Sequence, residues 1–155
     1  MIEEIQGNLL DTDCKLIAHG VNCQGKMGSG VAKALYTKWP GVKEKYLKVT
    51  DEFLGHYNPD DLLGHNSYVV VGDKVIANCF TQQNYGYDGQ IYLSYKAMVG
   101  CMKALRAYME GARLTEVAIP KIGCGLAGGD WEKVRDIIET VFPRKWKIKV
   151  YYLNK

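Results

Sequence analysis

The chain has 155 residues, with 20 Lys and Arg against 17 Asp and Glu, a net charge of +3. That length suits one domain rather than two, and the charge is too small to mark a nucleic-acid footprint. No apolar run approaches the ~18 residues of a membrane span, and no basic-then-apolar leader opens the chain, so a cytoplasmic protein is expected rather than a secreted or membrane one.

Taken in chain order, Ile2 to Ile5 suits a first strand, and the nearly all-apolar Leu16 to Val21 suits a strand buried on both faces. Asn22 to Gly30 reads as a loop. Val31, Ala34, Leu35 and Trp39 then recur at helical spacing until Pro40-Gly41, after which Val42 to Thr50 resumes as a second helix. Residues 55–66 read as a surface connection. Ser67 to Val71 and Lys74 to Phe80, joined by Gly72-Asp73, form the strongest hairpin signal. Tyr92, Tyr95, Met98, Val99, Met102, Leu105 and Met109 predict the longest helix, with Gly111 as its stop. Thr115 to Ile119 is a further strand, followed by the loop Pro120 to Gly129. Asp130 stands where an N-cap belongs, ahead of a helix marked by Val134, Ile137, Ile138 and Val141 and ended by Pro143. Lys147 to Leu153 is the last strand. This order predicts an α/β domain with a mixed sheet covered by helices, in one domain spanning 1–155.

Two basic runs, Lys38, Lys43, Lys45 and Lys48, then Arg144, Lys145, Lys147 and Lys149, read as solvated faces of a helix and a strand. The five cysteines (Cys14, Cys23, Cys79, Cys101, Cys124) are odd in number and lack any CxxC pair, so they read as reduced thiols, with no zinc site.

Glycine is the compositional anomaly, at 17 of 155 residues against the usual ~7%. Most of the excess sits in Gly25-Lys26-Met27-Gly28-Ser29-Gly30 and in Gly123-Cys124-Gly125-Leu126-Ala127-Gly128-Gly129. Each segment follows a buried strand and precedes a helix, where an open α/β sheet forms its ligand crevice. Glycine there lets backbone N–H groups approach an anion, and the helix N-terminus behind favours it, which makes a diphosphate the natural guest. Neither segment matches the Walker pattern, and the first lacks the acid of a dinucleotide fingerprint.

The motifs Ile5-Gln6-Gly7-Asn8-Leu9-Leu10, Leu16 to Gly25 with Met27-Gly28-Ser29-Gly30-Val31-Ala32, and Ile119-Pro120-Lys121-Ile122-Gly123-Cys124-Gly125-Leu126 with Trp131 resemble the macro domain. The resemblance runs nearly the full length. It implies a three-layer α/β/α fold with a cleft for ADP-ribose, and it looks most like the branch holding ADP-ribose 1''-phosphate phosphatases and the terminal ADP-ribose protein glycohydrolase.

Several departures bear on activity. Asn8 stands where many macro domains carry the aspartate that accepts from adenine, and its amide oxygen can accept the same bond without charge. Asn22-Cys23-Gln24-Gly25 replaces the Asn-Ala-Ala-Asn of the de-ADP-ribosylating branch. Gly89 and Ala127 fall where the glycohydrolase branch has its lysine and aspartate, so a lysine-adduct mechanism is disfavoured.

The resemblance implies that Asn8 and Leu9 meet the adenine. Gly28, Ser29, Gly30 and Val31 would hold one phosphate, and Gly123, Cys124, Gly125 and Leu126 the other. His19 is either a general acid or base beside the distal ribose or a histidine that only shapes the loop. Asn22 either bonds the distal ribose hydroxyls or stabilises its turn. Asp88 is the candidate acid near that ribose, against a plain surface loop. Tyr85 and Tyr87 are candidates to cover the ribose and Tyr151 or Tyr152 to pack on adenine, against ordinary packing. No arrangement argues for Cys23 or Cys124 as a nucleophile.

The expected function is therefore release of phosphate from ADP-ribose 1''-phosphate, without metal or cofactor, by a monomer. Two alternatives stay open. One is hydrolysis of an ADP-ribosyl bond on protein, nucleic acid or acetylated ADP-ribose, with nucleic acid entering only as a modified substrate. The other is a non-catalytic reader of ADP-ribose.

Overall fold

The computed structural model describes residues 1–28, 30–56, 59–86, 88–125 and 127–153, with the backbone alone for 53–56 and 59–60. Six strands form one sheet: β1 (Ile2–Gln6), β2 (Leu16–Asn22), β3 (Asn66–Val71), β4 (Lys74–Gln82), β5 (Glu116–Ile119) and β6 (Lys147–Tyr152). Their order is β1-β6-β5-β2-β4-β3. The β3–β4 hairpin is antiparallel, and the other paired strands run parallel. Four helices cover the sheet: α1 (Gly30–Lys38), α2 (Gly41–His56), α3 (Tyr95–Ala112) and α4 (Trp131–Val141).

Strand alternation divides the core in two. Leu16 and Ala18 of β2 and Val75, Ala77 and Cys79 of β4 join Met98, Met102, Leu105, Val134 and Ile138 beneath α3 and α4. Ile17, Val21, Ile76 and Phe80 point the other way and pack with Leu35, Val42 and Tyr46 beneath α1 and α2. Each fully buried Leu, Ile or Val contributes roughly 1.5–3 kcal/mol.

Three expected boundaries move for local reasons. The long helix starts at Tyr95, not Tyr92, because Leu93 is extended and bridges Gln82, and Ser94 caps the helix by accepting from the Ala97 N–H at 3.1 Å. Gly111 lies inside α3 rather than ending it. The stop falls on Arg113, whose left-handed φ of 57° turns the chain while its N–H bonds back to Glu110 and Met109. Helix α2 runs past Thr50 to His56, reaching the start of the stretch 55–66 that reads as connection.

Candidate functional site

A cleft of about 680 Å³ opens at the carboxyl ends of the neighbouring parallel strands β2 and β5. Its floor includes His19 to Asn22 of β2, and its walls include the two glycine-rich loops, through Gly25 to Gly28 on one side and Pro120 to Gly123, Gly125 and Ala127 on the other. Helix α1 points its N-terminus at the cleft through Gly30, Val31 and Ala32. Among the described residues, a Cβ built on Gly28, Gly30 or Gly125 would meet nothing within 4 Å, so these glycines leave space where a ligand can approach the backbone. Gly30 also has φ +60°, which disfavours any other residue at the helix start. Backbone amides, a helix N-terminus and open glycine positions are features that suit an anion.

The first loop is tied down from beneath. Asn22 is 7% exposed, and its Oδ1 accepts from the N–H of Gln24 at 3.0 Å and of Lys26 at 3.4 Å, while its Nδ2 donates to the Lys26 carbonyl at 2.7 Å. The Tyr46 hydroxyl, buried on α2, lies 2.8 Å from both Asn22 O and Oδ1. Burial raises the pKa of that phenol, keeping it a donor. Of the two roles open to Asn22, this geometry matches the turn stabiliser, since most of its bonding capacity is taken by the loop.

His19 is 1% exposed. By alternation along β2 its side chain shares the face of Ile17 and Val21, under α1 and α2, where Nε2 lies 2.5 Å from Asn78 Oδ1. Nδ1 is buried with no hydrogen-bond partner among the described residues. Desolvation drives the pKa down to about 4 despite the Asn78 bond, so the ring is neutral at pH 7. His19 thus lines the cleft floor with Nε2 committed to Asn78 and Nδ1 buried from solvent.

Asp88 is absent from the cleft lining. Its fully exposed carboxylate accepts from the Tyr92 hydroxyl at 2.8 Å and the Gln90 N–H at 3.2 Å, and both bonds lower its pKa. It closes a turn outside the cleft lining.

Asn8 is exposed and uses Oδ1 to accept from the Leu10 N–H at 2.9 Å, capping a short 3-10 turn over Leu9–Asp11, while Leu9 packs in the core. Asp130 caps α4 through the Glu132 N–H at 2.9 Å. Burial pushes the Cys124 thiol up to about 11, which leaves it protonated. Tyr85 lines the cleft, whereas Tyr151 donates to Thr12 Oγ1 at 2.9 Å and the Tyr152 ring sits 5.3 Å from the Lys121 ammonium. Ser29, Tyr87 and Leu126 lie outside the described residues.

Lys26, Lys43 and Lys121 line the cleft, and no described lining residue is a carboxylate. Lys43 belongs to the run that reads from sequence as a solvated face. Its spacing to Leu47, one turn on and also in the lining, is the signal that pairs it with an apolar neighbour, but nothing in the sequence says which helix face meets the loop. Among the described residues, one group could hold a metal: Asp13, Cys14 and Glu116, at the opposite end of the sheet. The Lys149 ammonium occupies that cluster, 3.1 Å from Asp13 and 3.7 Å from Glu116.

The sheet order and the two-loop cleft define an α/β domain with a glycine-lined crevice beyond the carboxyl ends of its parallel strands. A family model for the macro domain matches residues 18–138, and the chain belongs to that family. Relatives fall on both sides of the activity question. An uncharacterized 17.5 kDa protein of Enterobacteria phage T4 is 29% identical over 90% of this chain and 89% of its own length. An ADP-ribose 1''-phosphate phosphatase of Debaryomyces hansenii is 27% identical over 89% of this chain and 92% of its own. A DNA ADP-ribosyl glycohydrolase of Mycobacterium tuberculosis is 25% identical over 92% of this chain, which spans only 39% of that protein.

Among solved structures, a Bacteroides thetaiotaomicron protein of unknown function superposes with a TM-score of 0.85 at 28% identity, covering 97% of each chain. The macrodomain of Mycobacterium tuberculosis DarG does so at 0.82 and 24% identity, also over 97% of each, which shows the shared fold. Among the described residues no helix is long and apolar enough to cross a membrane.

Proposed function

We propose that this macro domain is a hydrolase acting on an ADP-ribose derivative, and specifically that it removes the 1''-phosphate from ADP-ribose 1''-phosphate. The observation that carries this choice is the charge of the cleft, three lysines and no described carboxylate. Such a lining suits a ligand with more negative charge than a diphosphate alone, and it offers neither an acid for a leaving group nor an aspartate at Ala127. The amides of Gly28, Gly30 and Val31 would hold one phosphate of the diphosphate and those of Gly123, Cys124 and Gly125 the other, with adenine toward Asn8 and Leu9. Water attacks phosphorus, the P–O1'' bond breaks, inorganic phosphate leaves and the ribose oxygen takes the proton. Fixed amides and lysines stabilise the charge on the phosphoryl oxygens as this happens.

Purified protein given ADP-ribose 1''-phosphate is expected to release phosphate without added metal. Absence of release from the wild type sinks the assignment. The resemblance to the mycobacterial glycohydrolase favours a second reading, cleavage of an ADP-ribosyl bond, and ADP-ribose freed from a modified nucleic acid or protein in a parallel assay would support it. Binding of ADP-ribose with no turnover in either assay would leave a reader.

Tyr46→Phe should weaken ADP-ribose binding by about three- to tenfold, because it removes one neutral hydrogen bond to the loop, typically about 1 kcal/mol. The ring would still stack on Phe80 at 6.0 Å, so the melting temperature should fall by only a few degrees. Unchanged affinity by calorimetry would mean the loop is held without the hydroxyl.

A further inference from the structure

The cleft continues past the first glycine loop onto α2, where Lys43 and Leu47 line it together with Lys26 and Met27 of the loop and Val31 and Ala32 of α1. Lys43 holds its ammonium 4.6 Å over the Tyr36 ring. Among the described residues, neither Lys43 nor Lys26 has a carboxylate within ion-pair distance, although Glu44 is the next residue on α2 and Asp51 and Glu52 follow two turns on. Lys121, on the opposite wall, differs, since Glu4 lies 3.9 Å from it. The uncompensated positive charge of the cleft is therefore concentrated on its α1–α2 side, at an apolar floor beside the loop.

A diphosphate carries two negative charges at neutral pH, and the two glycine loops already offer amides to it. We infer that Lys43, assisted by Lys26, forms a separate anion subsite that takes a phosphate monoester carried by the ligand beyond its diphosphate. This rests on the phosphatase reading for the identity of the monoester, the 1''-phosphate, but the subsite itself is a claim about binding. Its consequence is discrimination between substrate and product. A dianionic monoester lost on hydrolysis takes its contact with Lys43 away, so the product is held more weakly than the substrate and leaves.

The test compares ADP-ribose and a non-hydrolysable 1''-methylenephosphonate analogue of ADP-ribose 1''-phosphate by calorimetry on the wild type, Lys43→Gln, Lys43→Arg and Lys26→Gln. The wild type should bind the phosphorylated ligand more tightly. Lys43→Gln should cut that preference about tenfold, as expected for one lost charge-assisted bond, while its affinity for ADP-ribose stays within about twofold. Lys43→Arg should keep most of the preference, and Lys26→Gln should reduce it less than Lys43→Gln. Thermal melts identify a variant that has lost its fold, and Lys26→Gln provides an independent measure should Lys43→Gln fail in this way. Equal losses for both ligands, or a preference unchanged in Lys43→Gln, would overturn the subsite. Phosphate release is followed separately. No release with the preference and its Lys43 dependence intact removes the phosphatase assignment and leaves the subsite standing. Release without any Lys43 dependence does the reverse.

Discussion

Acidification from pH 6.5 to pH 4 should destabilise the wild type by on the order of 3 kcal/mol through His19 alone. The folded pKa is lowered to about 4 from 6.5 because the ring is desolvated in the α1–α2 core. The unfolded chain therefore binds the proton first, between those two values, and stability rises with pH across that window. The contribution is fully present above about pH 6.5 and gone below about pH 4. Urea unfolding at a series of pH values measures it. His19→Gln, whose amide can still donate to Asn78 Oδ1 but does not titrate, should flatten the slope between pH 4 and 6.5. An identical slope in the variant would show that His19 does not titrate as a buried group.

The same variant separates the two roles open to this histidine. A side chain exchanging a proton with substrate is worth roughly 10²–10⁴ in rate. A ring that only backs the cleft floor should cost less than tenfold in phosphate release once the melting temperature is taken into account. With Nδ1 buried and without a partner among the described residues, and Nε2 on Asn78, the smaller effect is the expected one.

His19 also shows where sequence reading runs out. The run Leu16 to Val21 marks a strand buried on both faces, and the structure has that strand. Which face His19 takes depends on the register of helices that no local pattern encodes. The glycine loops were legible for a different reason: a strand-to-helix turn open to a ligand needs residues without a Cβ, and Gly28, Gly30 and Gly125 have open space where one would be. Asp130 was legible as a cap because capping is local. Tyr92 misled because its spacing fits the helical period of Tyr95 and Met98, yet Leu93 is needed at the second loop, where it packs against Gly123 and Gly129. Lys43 and Tyr46 stayed hidden because only the docking of α2 against the loop distinguishes them from a surface lysine and a core aromatic.

Two neighbouring glycines of the second loop should respond in opposite ways to the same substitution. Gly123 has φ +74°, and a Cβ there would stand 2.6 Å, 2.8 Å and 3.0 Å from three side-chain atoms of Leu93, itself 5% exposed. Alanine costs about 1–2 kcal/mol for the left-handed backbone and about 1–3 kcal/mol for overpacking against the buried Leu93 side chain. Gly123→Ala should therefore lose roughly 2–5 kcal/mol, a fall in melting temperature of about 5–15 °C. Gly125 lacks a positive φ, and its Cβ position is empty to 4 Å. Gly125→Ala should change stability by no more than about 0.5 kcal/mol. Because Gly125 lines the cleft, the added methyl occupies space that a ligand held on the loop amides would need, and ADP-ribose affinity should fall at least about tenfold. Calorimetric melts and ligand titrations on the two variants decide the matter. A Gly125→Ala protein that melts normally and binds ADP-ribose as tightly as the wild type would mean that the second loop does not approach the ligand, and the diphosphate would have to be held by the first loop alone.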